Sequence, residues 1–129
     1  MQIIKLDQTK DTPSIHFNLA KNIFEIKGKS MPENATVFFK PIYEWIALFS
    51  SHHADNGIQL NVDLEYLNSS SIKLVFLIFN QLDDYYNNTS AKEKTCINWS
   101  YKKDDDLIIM KGEEFKDLLD IPFNLIAKI

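Results

Sequence analysis

The sequence predicts an α/β fold, a single domain with a mixed, partly parallel sheet and helices mainly on one face. Three observations predict it. The apolar period changes repeatedly between 2 and 3.6 along the chain, the mark of strands alternating with helices. Strand–helix–strand stretches follow one another, and such stretches form right-handed crossovers in a parallel sheet. The 129 residues, 45% of them apolar, suit one core, and no linker, repeat or low-complexity tract divides residues 1–129.

Residues 1–12 have no clear period and read as an extended arm, part of which can pair with the sheet. Ser14 to Leu19 alternates, with Ile15, Phe17 and Leu19 on one side. Ala20-Lys21-Asn22 is a hairpin-length connection to a short second strand carrying Ile23, Phe24 and Ile26. Gly28 to Asn34 is a loop by composition, and Asn34 can cap the helix that follows. Phe38, Ile42, Trp45, Ile46 and Phe49 then fall on one helical face. Pro41 lies inside that pattern and predicts a kink near Val37 or a restart. Val37, Phe39, Tyr43 and Leu48 widen the apolar face, which fits a helix packed on two sides or a partner-facing patch. His52 and His53 form a solvated helix end, with Gly57 past it.

The central strand sets Leu60, Val62 and Leu64 against Asn61, Asp63 and Glu65. The period becomes helical at Ile72, Val75, Phe76, Phe79 and Leu82, so Asn68 or Ser69 is the expected N-cap. Asp83 to Ser90 reads as a turn. Thr95 to Tyr101 is the next strand, with Cys96, Asn98 and Ser100 opposite Ile97, Trp99 and Tyr101. Asp104-Asp105-Asp106 opens a helix carrying Leu107, Ile108, Met110, Phe115, Leu118 and Leu119, with Gly112 weakening its middle. Pro122 ends it, and Phe123 to Ile126 is a final strand or extended tail.

Composition removes several function classes. The net charge is −4 and all 14 basic residues are lysine. Without arginine there is no bidentate fork for phosphate or guanine, and nucleic-acid binding is not expected. The longest apolar run, Leu74 to Phe79, is too short for a bilayer, and the first residues lack a secretory core, so a cytoplasmic protein is expected. The single Cys96 allows no internal disulfide and reads as a buried strand residue. The three histidines, His16, His52 and His53, fall on exposed or mobile elements and complete no metal set or catalytic triad. No phosphate loop or nucleophile elbow is present, so no enzyme, cofactor or metal is expected.

Three hydroxyls, Ser69, Ser70 and Ser71, stand at the mouth of the central helix. A helix N-terminus carries partial positive charge and free N–H donors, which suit a covalent phosphate. From local chemistry alone, a cap and a tight turn is the simpler account of the same serines. Strand, Asn-Ser-Ser and apolar helix together resemble the phosphorylation site of the anti-sigma factor antagonist (STAS) family, whose pattern is Asp-Ser-Ser/Thr-Gly. Asn68 and Ser71 depart from it. A closer resemblance is to the SiaC family of biofilm-regulating phosphoproteins, whose Tyr-Leu-Asn-Ser/Thr-Ser-Ser-Ile-Lys is matched by Tyr66 to Lys73 at every position. Pro32-Glu33-Asn34, Glu113 to Lys116, and Pro122-Phe123 agree as well.

The resemblance implies a STAS-like fold, the same in its order of elements, and a regulatory role in partner switching. Ser69 matches the phosphorylated position. A cognate serine/threonine kinase would modify it and a metal-dependent (PP2C-type) phosphatase would reverse this. The unmodified form would bind and activate a diguanylate cyclase, raising cyclic di-GMP and promoting biofilm. The alternative output is an ATP-dependent anti-sigma kinase, captured as an anti-sigma factor antagonist does. Pro32, Glu33, Asn34, Tyr66, Asn68, Ser70 and Lys73 are the expected partner-binding residues, on a chain expected to be a monomer when free. For Pro32-Glu33-Asn34 a plain turn into the helix explains the residues equally well.

Overall fold

The computed structural model describes all 129 residues. The amphipathic stretches become strands β1 (Ile4–Leu6), β2 (Ser14–Asn18), β3 (Ile23–Ser30), β4 (Gln59–Leu67), β5 (Cys96–Lys102) and β6 (Phe123–Lys128). Helix α1 (Ala35–His52) joins β3 to β4, α2 (Ser69–Asn88) joins β4 to β5, and α3 (Asp106–Leu118) joins β5 to β6. The six strands form one sheet in the order β1-β2-β3-β4-β5-β6. The first three pair antiparallel, and β3 through β6 pair parallel, so the sheet is mixed. Three crossovers of the same hand between neighbouring parallel strands put all three helices on one face.

The core lies between that face and the helices. Ile15, Phe17, Phe24, Ile26, Leu60, Val62, Ile97 and Trp99 are buried from the sheet side. Phe39, Ile42, Ile46, Phe49, Val75, Phe79 and Leu82 meet them from the helices. The opposite sheet face is polar. Asn61, Asn98 and Asn124 stand in register across three parallel strands. Asn98 Nδ2 donates to Asn61 Oδ1, and Asn124 Nδ2 to Asn98 Oδ1, each at 2.9 Å. Lys128 Nζ reaches across to Asp63 Oδ1 at 2.6 Å.

Several elements differ from the sequence expectation. The N-terminal arm contributes β1, which Trp45 Nε1 helps hold by donating to the Gln2 carbonyl at 2.6 Å. The second strand of the hairpin does not stop at Ile26 but runs to Ser30 through Gly28, whose φ of +122° a side chain would resist. Helix α1 neither stops nor restarts at Pro41. Pro41 cannot donate to the Val37 carbonyl and its ring crowds that carbonyl, a cost offset by the buried face that runs on through Ile42, Trp45, Ile46 and Phe49. Helix α2 runs on through Asp83 to Asn88, because Tyr85 is buried and its hydroxyl donates to the His53 carbonyl at 2.8 Å. Polar composition at 83–88 marked the outer face of a helix rather than its end. Cys96 is only half-buried and lies on the open face beside Asn98.

Strand β4 carries one irregularity that matters for the site. Gly28 faces Leu64 and Lys29 faces Tyr66, so Glu65 has no partner on β3. This is a bulge, which re-aims the side chains that follow it. Strict alternation would carry Tyr66 into the core. Instead Glu65 and Tyr66 both face outward, with Tyr66 49% exposed, and Leu67 takes the buried place.

Candidate functional site: the serine turn at the mouth of α2

Strand β4 ends at Leu67 and α2 begins at Ser69, so Asn68 alone turns the chain. Asn68 is the N-cap. Its Oδ1 accepts from Ser71 N–H at 2.9 Å, meeting one of the helix's orphan donors. Its own N–H donates to the Ser30 carbonyl at 3.0 Å, which ties the turn to the end of β3.

The three serines, equivalent in the sequence, have three different environments. Ser71 is 0% exposed; its Oγ donates to the Ser30 carbonyl at 3.0 Å and accepts from Ser30 Oγ at 2.8 Å. Ser70 is exposed, and its Oγ donates to Asn68 Oδ1 at 3.1 Å. Ser69 is exposed at the first helical position, and its hydroxyl bonds to no other group of the protein. A transferring enzyme therefore meets one free hydroxyl, one tethered hydroxyl and one that is out of reach. Lys73 is exposed four residues beyond Ser69, on the same side of the helix.

The stretch before α1 lies against this turn through Ser30, the last residue of β3. Met31 N–H donates to the Asp11 carbonyl at 2.8 Å, so the N-terminal segment braces the loop. Pro32 is buried, whereas Glu33 and Asn34 are exposed. Asn34 Oδ1 caps α1 by accepting from Val37 N–H at 3.1 Å. Of this trio, Glu33 offers the free charged side chain.

Sequence reasoning missed the third wall. A cleft of about 190 Å³ opens beside Tyr66 and Leu67, closed on the other side by Leu107, Met110 and Lys111 of α3. Leu107 is 71% exposed and Met110 47%. The signal for it was Gly112. The buried face of α3 runs Ile108, Gly112, Phe115, and Gly112 packs so closely on the Trp99 ring that an added Cβ would lie 2.6 Å from it. Reading Gly112 as a contact residue rotates Leu107 and Met110 out to solvent.

The two shifted acidities lie away from this turn. Asp55, at the far end of β4, is held below the usual carboxylate range by the Ser90 backbone N–H and then the Ser90 hydroxyl. Partial burial pushes the Cys96 thiol up, against the smaller effect of Asn98. No group of three or more His, Cys, Asp or Glu side chains could hold a metal ion. No helix is long and apolar enough to cross a membrane.

Comparison with known proteins agrees with this fold. Residues 6–128 match the family described as SiaC family regulatory phosphoprotein. An uncharacterised protein of Pseudomonas aeruginosa (strain UCBPP-PA14) is 25% identical over 127 residues, 98% of each chain. The structure of SiaC of Pseudomonas aeruginosa superposes with a TM-score of 0.87 at 25% identity, covering 99% of this chain and 100% of that one. The crystal structure of diguanylate cyclase SiaD in complex with its activator SiaC, from the same organism, gives a TM-score of 0.87 at 25% identity over 97% and 99% of the chains. A family match spanning nearly all of the chain and a shared fold at full length lead to one conclusion: this chain belongs to the SiaC family of regulatory phosphoproteins.

Proposed function

We propose that this chain is a phosphorylation-switched activator of a diguanylate cyclase. In the unmodified state its serine-turn surface binds the cyclase and raises cyclic di-GMP output. A cognate serine/threonine kinase modifies Ser69, and a PP2C-type phosphatase restores the free hydroxyl. The observation that carries this reading is the inequality of the three serines: Ser69 alone combines exposure with a hydroxyl that bonds to no other group. Support for the cyclase comes from the solved complex in which SiaC is the activator of the cyclase SiaD. That pairing weighs for a cyclase, and against an anti-sigma kinase, as the output.

The physics of the switch is local. A phosphate on Ser69 would sit at the N-terminus of a 20-residue helix, where the dipole and free N–H groups favour an anion, so α2 stays folded. The same phosphate adds nearly two negative charges in the middle of a contact surface. Burying them against a partner without a matching cation costs several kcal/mol, which is orders of magnitude in affinity. The chain itself acts as a binding partner and performs no chemistry.

The test is a titration of a diguanylate cyclase from the same genome with two forms of the chain, one bearing serine and one bearing genetically encoded phosphoserine at position 69. The serine form is expected to bind and stimulate cyclic di-GMP synthesis, and the phosphoserine form to lose at least about tenfold in affinity, or 1.4 kcal/mol. Equal stimulation by both forms rejects the switch. Phosphopeptide mapping after incubation with ATP and the partner kinase is expected to place the label on Ser69. Label on Ser70, or label that survives Ser69→Ala, rejects the assignment.

A further inference from the structure

Two buried hydroxyls stand at the root of the serine turn. Ser30 and Ser71 are both 0% exposed. A hydroxyl in an apolar interior is unfavourable unless it is bonded, and alanine at either place would avoid the difficulty. Here each hydroxyl donates, Ser30 Oγ to Ser71 Oγ at 2.8 Å and Ser71 Oγ to the Ser30 carbonyl at 3.0 Å. The same carbonyl also accepts from Asn68 N–H at 3.0 Å, which occupies both of its lone pairs. Asn68 Oδ1 completes the circuit by accepting from Ser71 N–H at 2.9 Å. A fully satisfied buried network of this kind specifies geometry more than it adds stability. What it joins is informative. Ser69 lies between two members of the ring, and Ser30 leads directly into Met31–Asn34.

We propose that the Ser30–Ser71 pair is a positioning element of the switch. It holds the Ser69 hydroxyl at the mouth of α2 and fixes the Met31–Asn34 loop to it as one rigid surface, so that charge on Ser69 is registered by the loop. This rests on Ser69 being the acceptor, which phosphopeptide mapping tests separately.

The experiment needs no partner protein. The full chain and its Ser30→Ala/Ser71→Ala double variant are prepared with nitrogen-15 label, each with serine or encoded phosphoserine at position 69. Removing both hydroxyls leaves no orphan polar group, so the melting temperature is expected to stay close to the parent's. Amide exchange at Asn68 and Ser71 is expected to become at least about tenfold faster, while Val62 and Ile97 in the sheet keep their parent rates. Phosphoserine at position 69 is expected to shift the amide resonances of Met31, Glu33 and Asn34 in the parent. In the double variant at least half of that shift is expected to vanish. A purely structural pair would change the melting temperature and leave the loop response intact. Ser71→Cys keeps the side chain's branching with a slightly larger atom and a weaker donor, and is read in the same way should the double variant melt early. Unchanged exchange at Asn68 and Ser71 overturns the proposal. So does a loop shift that is absent from the parent or keeps its full size in both variants.

Discussion

At the scale of single residues, the serine turn separates the capping side chain from the exposed, unbonded hydroxyl. Asn68 does the capping through its amide oxygen, and the Ser69 hydroxyl contributes no hydrogen bond to the fold. The sequence left Asn68 and Ser69 as equal candidates for the cap, since both residue types suit it. The choice fell to Asn68 because β4 pairs as far as Leu67, where it lies opposite Ser30. The division of labour has a measurable consequence. Asn68→Ala is expected to cost about 1 kcal/mol of unfolding free energy, the usual loss for a cap. Ser69→Ala is expected to stay within about 0.5 kcal/mol of the parent, as exposed substitutions do. Urea denaturation of the two variants checks this. A larger loss at Ser69 than at Asn68 would show that the assigned cap is wrong. Ser69, the proposed phosphoacceptor, is thus expected to tolerate replacement without unfolding the helix that presents it.

At the scale of elements, periodicity made the types of element legible and left two faces unread. All three helices and four of the strands after the N-terminal arm were legible in the sequence, while β6 was left open as a strand or an extended tail. The far end of α2 was not, because residues 83–88 are polar wherever they meet solvent and only Tyr85 reveals a buried side. The outward set of Leu107 and Met110 was hidden too. Counting Gly112 as a weak helix former says nothing about which neighbour it touches. Its neighbour is Trp99, whose Nε1 donates to the Ile108 carbonyl at 3.0 Å and so pins α3 to β5. Helix propensity favours Gly112→Ala by about 1 kcal/mol. The added methyl would nevertheless lie 2.6 Å from the Trp99 ring and 2.8 Å from Leu125 Cδ2. Overpacking costs about 1–3 kcal/mol, so the substitution is expected to destabilise despite the better propensity. Thermal melts followed by tryptophan fluorescence decide the sign. A stabilised Gly112→Ala would mean that α3 stands further from the sheet. A destabilised one whose α3 shifts is also expected to alter the cleft between Tyr66 and Met110, which joins this packing contact to the candidate site.

At the scale of the whole molecule, the fold gathers the site. Parallel β3, β4 and β5 all end at the same edge of the sheet, and their turns lead into α1, α2 and α3. Met31–Asn34, Asn68–Ser70 and the start of α3 therefore share that edge, although they are distant in sequence. The order of elements made this neighbourhood legible. Its fine structure was not, because the bulge at Glu65 and the Ser30–Ser71 contact leave no periodic trace. Pro32, expected on the surface from its motif, is buried, so within its trio the charge of Glu33 is what a partner can read. Charge reversal tests whether the edge works as a unit. Glu33→Lys changes the net charge by two units at an exposed position beside the serine turn, and the fold should not notice it. Its effect on binding a diguanylate cyclase is expected to be a threefold to tenfold loss of affinity, about 0.7–1.4 kcal/mol, as for other rim charges. Glu93→Lys makes the same change on the exposed 3-10 turn Lys92–Lys94, which precedes β5 at the opposite edge. Titration calorimetry and a thermal melt on both variants distinguish the cases. Loss of affinity at Glu33 alone, with both melting temperatures unchanged, marks the serine-turn edge as the contact surface. Equal losses at Glu33 and Glu93 would reduce the effect to net charge, and no loss at either would place the partner on another face.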